Sequence, residues 1–203
     1  MKTSKYSQMA NEASIKRTRE ALAKNGIYVF LVDDKDKAKE KIMELIPSHS
    51  EVMTMTSVTL EDIGIPSLIK KSPEFISIRN KLMEEDIEEM EKRRLWAAHE
   101  WVIGSVHAIT EDGQVVIASA TGSQLPSYAY GASNVIWVVG IQKIVKNLDE
   151  AMKRIYEYVF PLENERALKV YGMKSWVNKL LIINKEAIPG RIHIIFVREK
   201  LGF

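Results

Sequence analysis

Apolar positions along the chain follow two rhythms that alternate from the N-terminus onward. Over residues 4–24, Ile15, Thr18 and Leu22 recur at helical spacing, and Asn25-Gly26 supplies a stop. The run "IYVFLV" (27–32) is continuously apolar and rich in β formers, the pattern of a strand buried on both faces. Asp33 and Asp34 are placed to cap a helix whose Ala38, Ile42, Leu45 and Ile46 share one face and which ends before Pro47. "EVMTMT" (51–56) is the next strand. Strand, helix, strand in this order predicts a parallel sheet with right-handed crossovers.

Thr59 with Asp62 has the spacing of a capping box for a short helix that Gly64 and Pro66 end. Residues 81–99 predict a charged helix with Met83, Ile87 and Met90 on one stripe. "HAITEDGQVVIAS" is two β-type runs around Asp112-Gly113, the signal of a two-residue hairpin turn. A helical piece begins near Pro126, and "NVIWVVG" (134–140) is a central buried strand with Trp137 in the core. Asn147 and Glu150 box the start of a helix striped by Leu148, Met152, Ile155 and Val159. "KLLIIN" and "RIHIIFV" are two final strands with Pro189-Gly190 between them. With no repeats, low-complexity tract or linker, residues 1–203 read as one α/β domain on which the 4–24 helix packs.

Composition narrows the function classes. Basic and acidic residues number 29 and 27, a net charge of +2, which offers no electrostatic case for nucleic acid or an anionic membrane. No run reaches the length of a membrane span and no signal-peptide core is visible, so the expected location is cytoplasmic. Cysteine is absent, which removes disulfides, thiol nucleophiles and cysteine-ligated iron–sulfur clusters from this chain. The four histidines lack the H-x-x-x-H and H-E-x-x-H spacings, and no metal site is expected.

Candidate chemistry gathers at three places. The hydroxyls of Thr54, Thr56, Ser57 and Thr59 lie where a strand ends and a helix begins, the edge at which open α/β sheets bind anions; plain capping is the competing explanation. His107, Ile109 and Glu111 share one face of a strand, so His107 and Glu111 form a candidate acid–base pair, with Glu111 as base or nucleophile. The competing explanation is a backbone-bonded histidine beside a solvated strand-end acid. Gly122, Ser123 and Gln124 precede the Pro126 helix, where backbone amides and side chains can cradle an oxyanion, or simply make a βα turn.

The segments "EVMTMTSVTLEDIGI", "GSVHAITEDGQVVIASATGSQLPSYAYGASNVIWVVGIQKIV" and "NKLLIINKEAIPGRIHIIFVREKLGF" resemble the LUD-domain family, the lactate utilisation protein C-like group formerly called a domain of unknown function. Asp112 after Glu111 and "YGMKSWVNKLLIIN" near the end mark a short, divergent branch. The resemblance implies a layered, largely parallel sheet flanked by helices, similar to the NagB/RpiA/CoA-transferase group. It also implies a link to lactate and organic-acid utilisation, beside iron–sulfur partner subunits. Any iron–sulfur cluster or flavin would then sit in a partner. Thr110-Glu111-Asp112-Gly113 resembles the short glutamate motif of some CoA-transferases, an analogy of fold.

Three functions are therefore carried forward. The first is binding of a small anionic metabolite at the strand C-terminal edge. The second is CoA-transferase or sugar-phosphate-isomerase chemistry using Glu111. The third is a non-catalytic accessory role in an iron–sulfur redox assembly. Expected partners are the metabolite, iron–sulfur subunits and a further copy of the chain in a homo-oligomer, with neither nucleic acid nor membrane among them.

Overall fold

In the computed structural model, residues 4–84 and 86–203 are described. After a single turn at Lys5–Ser7, helix α1 spans Glu12–Lys24, opened by the Asn11 side chain and closed by Asn25 and Gly26, whose φ is 79°. The expected helix over 4–24 is thus two pieces. Strand β1 (Tyr28–Val32) leads to α2 (Lys35–Leu45), where the Asp34 carboxylate accepts from the Lys37 amide at 2.8 Å. Strand β2 (Glu51–Thr54) is followed by α3 (Val58–Ile63) and α4 (Ile65–Lys71). Gly64, at φ 73°, ends α3, but Pro66 begins α4 rather than terminating anything, because the first helical turn has no use for its missing amide.

A short β3 (Ile76–Ser77), α5 (Ile78–Lys81) and α6 (Glu89–Ala97) occupy the region expected as one charged helix. Glu85 lies outside the described residues. Met83 and Met90 are both more than 60% exposed, so their stripe has no core to bury against and the helix is broken. Strands β4 (Trp101–Gly104), β5 (Ala108–Thr110) and β6 (Val115–Ser119) follow. The β5–β6 turn holds three residues, Glu111 to Gly113, with Gly113 at φ 81°. The Asp-Gly signal therefore marks the hairpin but not its loop length. A wide helical turn at Ser127–Gly131 precedes β7 (Asn134–Gly140) and the short β8 (Ile144–Val145). Helix α7 (Leu148–Arg154), boxed by Asn147, runs through a wide turn at Ile155–Val159 into α8 (Phe160–Tyr171). Pro161 cannot donate to the preceding turn, and the widened turn lies just ahead of it. Strands β9 (Lys179–Ile183) and β10 (Ile192–Val197) complete the chain.

Six strands form an all-parallel sheet in the order β1-β10-β7-β4-β2-β3, flanked by helices as expected for an α/β fold. Alternate residues serve opposite faces. Val52, Ile103, Ile136 and Ile195 pack on α2, α3 and α4. Met53, Val102, Val135 and Ile194 pack on α1 and on a second sheet, β8-β5-β6-β9. The far face of that second sheet is covered by α7 and the wide turn after it, through Ala151 and Ile155. Strand β1 is an edge strand with Tyr28 exposed, not a strand buried on both faces; among the described residues it pairs only with β10.

Strand order dictates where a crevice opens. From β2 the chain steps outward to β3, whereas from β4 it proceeds the other way, through β7 to β10. Neighbours whose following connections diverge leave a gap beyond their carboxyl ends, the place where such sheets bind ligands.

Candidate functional site

A cleft of about 520 Å3 opens at that gap. Residues following β2 (Met55 to Thr59), β4 (Ser105 to His107) and β6 (Ser119 to Thr121) line it, with Lys143 from the turn after β7. The widened helix contributes Ile155, Val159 and Phe160, and the segment after α8 contributes Met173 to Asn178.

Lys143 is the central group. Its side chain is buried, and Nζ donates to Thr59 Oγ1 at 2.8 Å and to Ser105 Oγ at 3.1 Å. These hydroxyls are themselves committed: Thr59 Oγ1 donates to the Leu201 carbonyl at 3.3 Å and Ser105 Oγ to the Val138 carbonyl at 2.7 Å. Among the described residues, its hydrogen-bond partners are these two hydroxyls and no carboxylate. Burial pushes its pKa down to about 7, the Arg154 charge adds to the fall, and Asp62 opposes it. Near neutral pH this amine can be charged and hold an anion, or neutral and take up a proton.

His107 lies beside it in the cleft, half-buried. The Ala118 amide donates to His107 Nδ1 at 3.1 Å, which leaves the ring proton on Nε2. Burial, with Lys143 and then Arg154, pushes His107 down to about 3, so it is a neutral imidazole at physiological pH. Its backbone carbonyl accepts from the guanidinium of Arg154, a fully buried side chain whose Nε and other terminal nitrogen have no partner among the described residues. Two buried cations without carboxylate partners among the described residues thus act on one another, Lys143 lining the cleft and Arg154 bonded to the His107 carbonyl, a strong positive field in a poorly screened place.

Of the sequence-predicted residues, Thr56, Ser57, Thr59, Ser123, Gln124 and His107 come together around the cleft. Arg79 holds the Thr56 loop, donating to Thr56 Oγ1 at 2.7 Å and to the Thr54 carbonyl at 2.8 Å, and it stacks on Trp96. Thr54 is buried within β2 and does not line the cleft. Thr59 lies inside α3 rather than capping it with Asp62, whose carboxylate accepts from the Gly202 amide at 2.8 Å. Ser57 takes the cap position and makes no side-chain cap bond. The Gly122 amide donates to Ser119 Oγ at 2.8 Å, folding the turn so that Ser123 and Gln124 reach the rim while Gly122 packs on Lys179.

Glu111 is separated from this set. Both its oxygens are held by Arg17, at 3.0 and 2.9 Å, and Ser14 donates to it at 2.6 Å. It ties α1 to the hairpin, away from the cleft, and is not paired with His107. The strand ends at Thr110, so the alternation that put the two side chains on one face stops a residue too early. Arg17 above all holds the Glu111 carboxyl below its ordinary pKa. Its contribution is therefore present above the unfolded-state pKa and lost as pH falls through the lower folded value. Glu111→Gln is expected to lower stability by about 1 kcal/mol in urea unfolding at pH 7 and to leave ligand binding in the cleft unchanged.

Lys143, Ser105, Ser119 and Arg154 are the residues that sequence reasoning passed over. The available signal was a lysine inside the apolar window "VVGIQKIV", where a charge has no reason to sit unless it is used. Among the described residues, no group of three or more His, Asp or Glu could hold a metal ion. No described helix is long and apolar enough to cross a membrane.

The family model of the LUD domain matches residues 15–197, a span containing both sheets and every cleft residue named so far. The chain belongs to the LUD-domain family. This LUD domain is similar in structure to a DUF162-family protein from Deinococcus radiodurans, with a TM-score of 0.58 at 11% identity. The match covers 94% of this chain and 99% of that one, and at such identity it speaks to fold alone. None of the curated proteins matches the LUD chain.

Proposed function

We propose that the cleft binds an organic carboxylate, held by Lys143 and the neighbouring hydroxyls. The observation that carries this reading is the buried amine itself: it bonds two hydroxyls, feels the Arg154 charge, and has no carboxylate partner among the described residues. An anionic ligand would supply the missing partner and recover the cost of burying the charge. Membership of a lactate-utilisation-associated family makes lactate and pyruvate natural first compounds to try. Catalysis through Glu111 finds no support in the geometry, because Arg17 and Ser14 occupy that carboxylate.

The reading predicts a pH profile. The groups around Lys143 are the Thr59 and Ser105 hydroxyls, Arg154, Asp62 and a neutral His107. Of these, Lys143 is the one poised to titrate near pH 7. Carboxylate affinity should be level below that pH and fall about tenfold per unit above it, as the amine loses its proton. Calorimetry in buffers of different ionisation heat should show proton uptake on binding at pH 8. Affinity that is constant from pH 6 to 9, or that survives Lys143→Met, would rule the reading out.

A further inference from the structure

The cleft has two chemically different ends. One holds Lys143 with its hydroxyls. The other is built from the buried Ile155 and Val159 and the half-buried Phe160, and it opens onto Met173 and Trp176, which are 62% and 52% exposed. Large apolar side chains exposed around one hollow are unlike singly scattered surface residues; together they form an apolar patch awaiting cover. The volume of about 520 Å3 lies in the range that accommodates drug-sized ligands, and a three-carbon acid at Lys143 would leave most of it to water.

We propose that the cleft takes a hydrophobic-tailed carboxylic acid, its head at Lys143 and an aliphatic or aryl tail of about six to eight carbons against Val159, Phe160, Met173 and Trp176. This rests on the reading of Lys143 as the carboxylate anchor and adds what lies at the other end. One buried cation matches one carboxylate, and of the charged groups that also line the cleft Glu163 and Arg166 already hold each other, at 2.7 and 2.8 Å, which leaves Val159, Phe160, Met173 and Trp176 for apolar contact. Desolvating each added methylene on that wall favours longer acids until the tail reaches the rim.

The test is a series of sodium salts, acetate, butanoate, hexanoate and octanoate, with lactate and the neutral octanamide, each titrated against the full chain at pH 6.5. Trp96 and Trp176 both line the cleft, so tryptophan fluorescence reports occupancy, with thermal shift as a second readout. Affinity is expected to rise about fourfold per methylene from butanoate to octanoate. Octanamide should bind at least about tenfold more weakly than octanoate, lacking the charge-assisted contact. Trp176→Ala, at a half-exposed position, should weaken octanoate about tenfold and leave acetate unchanged. Equal binding of acetate, lactate and octanoate would overturn the tail assignment while leaving Lys143 as the anchor. Octanoate binding untouched by Trp176→Ala would also overturn it. No binding by any acid would remove both readings together.

Discussion

Lys143→Met gives a protein that no longer binds carboxylates and is more stable than the wild type at pH 7. Ordinary mutations in a buried network destabilise, so the sign is the informative part. The folded-state pKa of about 7 lies below the usual 10.5. Between those values the unfolded chain binds more protons than the folded one, so wild-type stability rises with pH across that window. The penalty for burying the charge is complete below pH 7 and disappears toward pH 10.5. At about 1.4 kcal/mol per unit, a shift of this size corresponds to about 5 kcal/mol. Methionine fills similar space without a charge, but it leaves Thr59 and Ser105 without the donor they share, so a net gain of about 2 kcal/mol is expected. Urea unfolding at pH 6, 8 and 10 checks this: the variant should be the more stable at pH 6, and the wild type should gain on it as pH rises and overtake it by pH 10, where the charge penalty is nearly gone and only the unpaired hydroxyls remain. A variant less stable than wild type at every pH would mean that Lys143 is structural. Loss of binding with gain of stability is the mark of a group kept for function.

Gly104→Ala should cost about 3 kcal/mol and weaken ligand binding with it. A Cβ at this position would stand 1.7 Å from Tyr128 Oη and 2.7 Å from Cζ. Tyr128 cannot step aside: it is 2% exposed and packs edge-on against the fully buried Trp137, with ring centroids 5.4 Å apart. The displaced ring would push on the Ser105 segment, which holds the second hydroxyl on Lys143. Combining the substitution with Tyr128→Phe removes the closer of the two overlaps and should restore part of the loss. Urea midpoints of the single and double variants measure the coupling. A Gly104→Ala protein as stable as wild type would show that the ring has room, and that this contact does not position the cleft.

Local chemistry decided most of the elements before any fold existed. Asp34 and Asn147 cap their helices through side-chain contacts that involve only the next three residues. Gly26, Gly64 and Gly113 take positive φ where the sequence pattern asked for breaks. Trp137 is buried in a central strand because an uninterrupted apolar run can satisfy itself nowhere else. Where local signals failed, the deciding partner was distant. The 81–99 helix is broken because its methionines meet no core, and β1 is an edge because strand order, not hydrophobicity, sets which strand lies outermost.

The candidate site divides the same way. Its hydroxyls at Thr56, Ser57 and Ser123 were legible because strand-to-helix turns announce themselves in residue type. Glu111 looked equally promising, and only the packing of α1 against the hairpin shows that Arg17 and Ser14 already hold it. Lys143 was hidden because its meaning depends on being enclosed by segments 38 and 84 residues away along the chain, at Ser105 and Thr59. Sequence by itself determined most of the helices and strands, since those preferences act over a few residues. Tertiary structure alone decided which polar groups lost their water, and it is that loss, a property of neighbours brought from afar, that lowers the pKa of an otherwise ordinary lysine.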